Sequence, residues 1–243
     1  MPNRIVRRFA DVNEVSRAAA QEFIPLAQAA INARGRFTVA LGGGSTPKLL
    51  YQLLSDAPYR AQVDWTRVEF FWGDERAVPP DHADSNYGMA HKALLQKLAL
   101  PAAQIHRMEA ERNDRDVAAS DYQAALTRVC GNDPLDLVLL GMGPDGHTAS
   151  LFPQTTALKE TKRWVVSNFV PKFNADRLTM TAPYLNRAAN VLFLVAGADK
   201  AAVLVEVLEG PPDHQRLPSQ MIQPSTGSLI WFVDEAAATN LKM

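Results

Sequence analysis

The sequence predicts an α/β fold: a single Rossmann-like domain over residues 1–243, with a mostly parallel sheet flanked by helices. Three observations predict it. Six short runs are rich in strand-forming residues, and most are nearly continuous in apolar ones: "FTVAL" (37–41), "RVEFFW" (67–72), "LDLVLL" (135–140), "RWVVSN" (163–168), "NVLFLV" (190–195) and "SLIWFV" (228–233). Strands of a parallel sheet are buried on both faces and read this way, whereas half-exposed strands alternate. The runs are separated by stretches of helical period, and that alternation is the signature of α/β winding. The unusual residues of the chain gather just after the apolar runs, and open α/β sheets bind ligands beyond the carboxyl ends of their strands.

Taken in order, the first helix is expected over about 11–33, kinked or broken at Pro25, which cannot donate to the helical ladder. "SNYGMAHKALLQKL" places Tyr87, Ala90, Leu94 and Leu98 on one face behind a Ser85 or Asn86 cap. "DRDVAASDYQAALTRVCG" does the same with Ala118, Tyr122, Ala125, Leu126 and Val129, and Gly131 suits its C-terminal cap. "DKAAVLVEVLEGPP" begins at Asp199 as a cap and ends at Gly210 and Pro211. The segments 79–85 and 210–220 read as polar loops. No repeat, low-complexity tract or linker interrupts the chain.

Composition narrows the function. The chain is 47% hydrophobic and 21% charged, with a formal net charge of −1. Such a balance exerts no general pull on nucleic acid or anionic membranes, so any anion site must come from local placement of charge. The single cysteine, Cys130, excludes an internal disulfide framework and fits a reducing compartment. The basic start lacks an apolar h-region, and no apolar run approaches the ~20 residues that span a bilayer. A cytoplasmic protein without nucleic-acid or membrane partners is expected.

Four strand ends carry the candidate chemistry. "LGGGSTPKLL" (41–50) brings Gly42, Gly43 and Gly44 to the start of a helix. Bare backbone admits a ligand closely, Thr46 is a possible cap, and Pro47 suits a first turn. Free N–H groups at a helix start favour an anion such as phosphate. The spacing matches neither the Walker loop nor G-x-G-x-x-G. "GMGPDGHTASLFP" (141–153) sets Asp145 and His147 two residues apart in a glycine-rich turn, with histidine suited to take a proton near neutral pH. "WGDERAVPP" (72–80) carries Asp74, Glu75 and Arg76, of which Arg76 suits an anion or oxyanion. "GADK" (197–200) puts Lys200 at a helix start, where a cation opposes the helix dipole unless an anion sits there. "PKFNADRLTMT" (171–181) adds Lys172 and Arg177, for each of which a structural salt bridge is the alternative. Asp81, His82 and Asp84 match no metal-ligand spacing, and no G-x-S-x-G elbow supports a serine triad.

"LGGGSTPKLLY", "FFWGDERAVPPDHADSNYGMA", "LDLVLLGMGPDGHTASLFP" and "RLTMTAPYLNRA", in this order and with "GADKA" beyond, resemble the main blocks of the 6-phosphogluconolactonase family. That family is part of a larger group including glucosamine-6-phosphate deaminases. The D-G-H-T-A-S-L-F-P block is the specific one. The resemblance implies hydrolysis of 6-phospho-D-glucono-1,5-lactone to 6-phosphogluconate, in the oxidative pentose phosphate pathway, without metal or organic cofactor. It implies that His147 is the general base and Asp145 its support. Gly43, Gly44, Ser45 and Thr46 would line the phosphate or sugar site, Arg177 and Lys200 would contact phosphate, and Arg76 would face the lactone. The implied partner is one small phosphosugar lactone, bound by a monomer or weak homo-oligomer. Family members often carry a proline-rich run before the arginine of the last block, where this chain has "KFNAD". Deaminases resemble D-G-H-I-A-F-N-E-P, and Phe152 stands here at their glutamate position. The rival readings are an aminosugar-phosphate deaminase and a non-catalytic phosphosugar sensor.

Overall fold

The computed structural model describes residues 4–242. In chain order the principal elements are β1 (Arg4–Phe9), α1 (Val12–Arg34), β2 (Phe37–Leu41), α2 (Ser45–Ser55), β3 (Val68–Trp72) and β4 (Asp74–Arg76). There follow α3 (Asn86–Ala90), a π turn (His91–Leu95), α4 (Gln96–Leu98), α5 (Arg115–Cys130), β5 (Leu137–Leu140), β6 (Val165–Val170) and β7 (Ala175–Met180). The chain closes with α6 (Ala182–Leu185), β8 (Asn190–Val195), α7 (Ala201–Glu209), β9 (Ser228–Asp234) and α8 (Glu235–Ala238).

Six strands form a parallel sheet in the order β1-β9-β8-β5-β2-β3. The continuous apolar runs divide by period two across it. Val39, Leu137, Leu139, Leu192 and Phe232 pack against α1 and α2 through Phe23, Leu50 and Leu54. Ala40, Val138, Leu140, Phe193 and Trp231 face Tyr122, Leu126 and Leu204 on the other side. Each fully buried side chain of this size contributes about 1.5–3 kcal/mol, which is why both faces had to be apolar. From β2 the chain moves to β3 on one side, then returns to β5 on the other. The strand order therefore reverses between β2 and β5, and the loops after these two strands diverge around a crevice.

Several expectations needed correction. The run at 163–168 belongs to β6, which lies outside the parallel sheet. It pairs antiparallel with β7, and β7 with β4, in a second, three-stranded sheet. The start "RIVRRF", noted only for its basic residues, is the edge strand β1. Arginines suit an edge because charge discourages further pairing. Helix α1 runs unbroken through Pro25, which sits on the exposed face where water can take the freed carbonyl. Asp199 does not cap α7: the helix starts at Ala201 after a tight turn at Ala198–Lys200, with no side-chain cap. Thr46 does not cap α2 either; Gly44 occupies that position with φ 106°, and no side chain bonds the first N–H groups. The expected caps Ser85 and Gly131 stand where the sequence placed them.

Candidate active site

The loops after β2 and β5, together with strands β4 and β7, wall a cavity of about 260 Å³. Its lining includes Gly43, Gly44, Asp74, Arg76, His147 and Arg177. Segments as far apart in sequence as Gly42 and Arg177 are thus brought to the reversal point of the sheet.

The glycines are needed for different reasons. Gly44 has φ 106°, a conformation that side chains rarely adopt. A Cβ on Gly43 would lie 2.0 Å from Oδ1 of Asn86, and one on Gly42 would lie 2.8 Å from the carbonyl of Leu139. Beyond Gly44, α2 begins with N–H groups that no side chain caps, and these carry the partial positive end of the helix dipole. Ser45 and Thr46 form that first turn and are not in the cavity wall.

The loop after β5 folds into a closed turn. The Gly143 N–H donates to the His147 carbonyl at 2.9 Å, and the Gly146 N–H donates to the Gly143 carbonyl at 3.0 Å. Gly146 has φ 77°, and its carbonyl accepts both N–H and Oγ–H of Ser219. A Cβ on Gly143 would fall 2.0 Å from Cε1 of His147, so the imidazole occupies space that only a glycine leaves open. Its Nδ1 bonds Oδ1 of Asp145 at 2.5 Å, and its ring stacks on Phe152 at 3.9 Å between centroids. Among the described residues no protein group bonds Nε2. With Nδ1–H donated to Asp145, the neutral ring presents Nε2 to the cavity as a proton acceptor. Burial pushes the Asp145 carboxyl up, but the bonds from His147 and Lys172 outweigh it and hold it well below the usual carboxylate range. Lys172 donates to Oδ2 of Asp145 at 2.7 Å, so the salt-bridge alternative for this lysine is the one realised.

The arginines come from the smaller sheet. Arg76 and Arg177 are direct partners in the β4–β7 register. Like charges placed opposite one another destabilise a ladder, so this pairing has a cost that an anion between them would relieve. Both Nε–H groups are buried without a partner. Arg76 spends one terminal N–H on the carbonyl of Asp84 at 2.6 Å. The Arg177 guanidinium lies 5.3 Å from the Phe173 ring and 5.9 Å from the Phe152 ring. Burial pushes its pKa down, Asp74 pulls it back up, and Arg76 lowers it further.

Sequence reasoning left the framework behind these groups without a role. Glu75 is 3% exposed, and its carboxylate accepts from the N–H groups of Arg76, Asn86 and Tyr87, each at 2.8 Å, and from Oγ of Ser85 at 3.0 Å. It ties β4 to the start of α3 and so fixes the strand that carries Arg76. Asp74 accepts from Ser150 at 2.6 Å and from Asn86 at 3.2 Å, linking the same strand to the histidine loop. The available signal was two adjacent acids at a strand end, a pattern too common to interpret alone. Lys200 is not in the wall: its ammonium bonds Asp199 at 2.5 Å. Among the described residues no cluster of three or more His, Cys, Asp or Glu is placed to hold a metal. No helix there is long and apolar enough to cross a membrane. Burial pushes the Cys130 thiol up to about 11, which suits a packing role.

A doubly wound α/β protein with its crevice at the sheet reversal is the class that fold and cavity define. The family model described as glucosamine-6-phosphate isomerases/6-phosphogluconolactonase matches residues 10–231, and the chain belongs to that family. It is similar to a 6-phosphogluconolactonase of Nostoc sp., 43% identical over 220 residues and covering 88% of each chain. A 6-phosphogluconolactonase of Synechocystis sp. is 45% identical over 219 residues, with the same coverage. Among solved structures, the 6-phosphogluconolactonase from Trypanosoma cruzi superposes with a TM-score of 0.87 at 30% identity, covering all of this chain and 98% of that one. The protein is an enzyme of this 6-phosphogluconolactonase kind.

Proposed function

We propose that the protein hydrolyses 6-phospho-D-glucono-1,5-lactone to 6-phosphogluconate, with His147 as general base. The observation that carries this is the imidazole whose Nδ1 is committed to Asp145 while Nε2 opens on a cavity walled by Arg76 and Arg177. Nε2 takes a proton from water as the oxygen attacks C1, and the ring returns it when the ester C–O bond breaks. Arg76 steadies the oxyanion, and Arg177 with the open N–H groups of the glycine loop holds the phosphate. Remote phosphate binding brings the carbonyl to the base and lowers the entropic part of the barrier. A lactone is already an activated ester, so the step is written without metal or organic cofactor. Lys200 joins the phosphate contacts only by exchanging Asp199 for substrate.

Phe152 favours this reaction over deamination. Ring opening and amine loss require more proton transfers than lactone hydrolysis, and a phenyl ring on the imidazole supplies none. The chain is read as one folding unit, because groups from both sheets meet in the cavity. The test is hydrolysis of freshly prepared lactone above its spontaneous rate, with ammonia release from glucosamine 6-phosphate measured beside it. His147→Ala is expected to lower kcat/KM about 10²–10⁴-fold, the usual worth of a positioned general base. Equal values for the two proteins would remove His147 from the mechanism.

A further inference from the structure

Lys172 reaches the Asp145–His147 turn from the short helical turn Pro171–Phe173, which precedes β7. Its Nζ lies 2.7 Å from Oδ2 of Asp145, while Oδ1 of the same carboxylate lies 2.5 Å from Nδ1 of His147. One carboxylate is therefore shared between the Lys172 side chain and the ring that must exchange a proton. We infer that Lys172 is a positioning residue that keeps the His147 ring in its proton-accepting form by dividing the Asp145 carboxylate.

The physical argument is one of competing partners. A carboxylate facing only an imidazole stabilises the imidazolium and makes the ring hold its proton. A general base in that form is blocked. An ammonium on the second oxygen takes up part of that negative charge and itself repels a proton on the ring, so both effects favour the neutral ring. The shared carboxylate still fixes the tautomer and orientation. The other charged groups around the ring act in known directions. Arg177 on β7 and Arg76 on β4 line the same cavity and oppose a proton on the ring, whereas Asp74 on β4 favours one. The glycines of the β2 and β5 loops bring no charge, and Phe152 covers one ring face with hydrocarbon. None of these touches Lys172 Nζ, which stands 5.6 Å from the Phe173 ring. The Lys172 side chain is half exposed, so water and salt weaken its effect without abolishing it.

The inference rests on the reading of His147 as the base, and two measurements separate them. In the first, kcat/KM is followed against pH at low salt for wild type, Lys172→Met and Lys172→Arg, after subtraction of spontaneous hydrolysis. Lys172→Met keeps the apolar stem and removes the charge. Its acid limb is expected to move up by about half a pH unit, which is about a threefold loss on the acidic side and little loss on the plateau. Lys172→Arg is expected to keep the wild-type limb. In the second, the Cε1–H resonance of His147 is titrated by NMR without substrate, and its midpoint is expected to move up by the same amount in Lys172→Met alone. A uniform loss at every pH with limb and midpoint unmoved would make Lys172 merely structural and overturn the inference. So would a Lys172→Arg variant that follows Lys172→Met. If His147→Ala turns over like wild type, the base assignment fails, and the NMR midpoint still decides the role of Lys172.

Discussion

Two hollows of this molecule are lined by arginine and histidine, and they are built on opposite terms. A groove of about 450 Å³ beside α5 holds His106, Arg107 and Arg112. There His106 meets Glu69 at 2.7 Å, Arg107 meets Glu111 at 2.7 Å and Arg112 meets Asp121 at 2.6 Å. Each of these three side chains has an acidic partner within the protein. In the smaller cavity at the sheet reversal, Arg76 and Arg177 face each other, both Nε–H groups lack partners, and a helix begins uncapped. These three side chains of the first region are paired, whereas in the second region pairing and capping are broken together. Broken rules that cluster in one place mark where a ligand completes the structure.

That contrast can be broken by substitution. Among substitutions that retain His147 itself, the largest effect is expected from Gly143→Ala, whose Cβ would displace the ring from its backbone seat. A misplacement of about 1 Å is worth about 100-fold in kcat. A kcat within twofold of wild type would show that the ring tolerates another position. Next comes the paired comparison of Arg177→Ala with Arg112→Ala. Loss of a charged contact to phosphate is expected to raise KM about 10–100-fold for Arg177→Ala, from about 1.5–3 kcal/mol per charge-assisted bond. Arg112→Ala is expected to leave KM unchanged, because its charge is already matched by Asp121. Equal KM values for the two variants would erase the distinction between the hollows.

The smallest effect concerns stability against pH. Asp145 is held below its ordinary range by His147 and Lys172 against the opposing effect of burial. A depressed carboxyl stabilises the fold above its unfolded-state value and loses that contribution as pH falls through the folded one. Asp145→Asn is therefore expected to have a lower Tm than wild type near neutral pH, and the gap is expected to close in acid. Thermal unfolding measured across pH checks this, and a gap that widens in acid would reverse the sign of the argument.

Much of the site was legible before the fold was known, because its parts are local. Gly44, Asp145, Gly146 and His147 announce themselves in short motifs whose turns need those residues in that order. Arg76 was visible as a cation at a strand end. The three-residue strand that carries it was not, since a stretch as short as "DER" has no period to detect. Lys172 and Arg177 were each left between a functional role and a salt bridge. The structure resolves them oppositely: Lys172 takes the salt bridge, while Arg177 keeps an unpaired Nε in the cavity wall. Lys200 looked exposed to dipole conflict, but Asp199, expected to cap the helix, neutralises it instead.

The order of amino acids by itself determined which runs become buried strands, because continuous apolar sequence can be satisfied only between two covered faces. It also determined the bare turn at Gly43 and Gly44, because a φ of 106° and a close approach to Asn86 admit little besides glycine. The tertiary structure alone decided that Arg76 stands opposite Arg177, that Lys172 shares a carboxylate with His147, and that Lys200 stays outside the wall. Those outcomes depend on the register between segments far apart in the chain, and a charge carries no local sign of which distant partner it will meet.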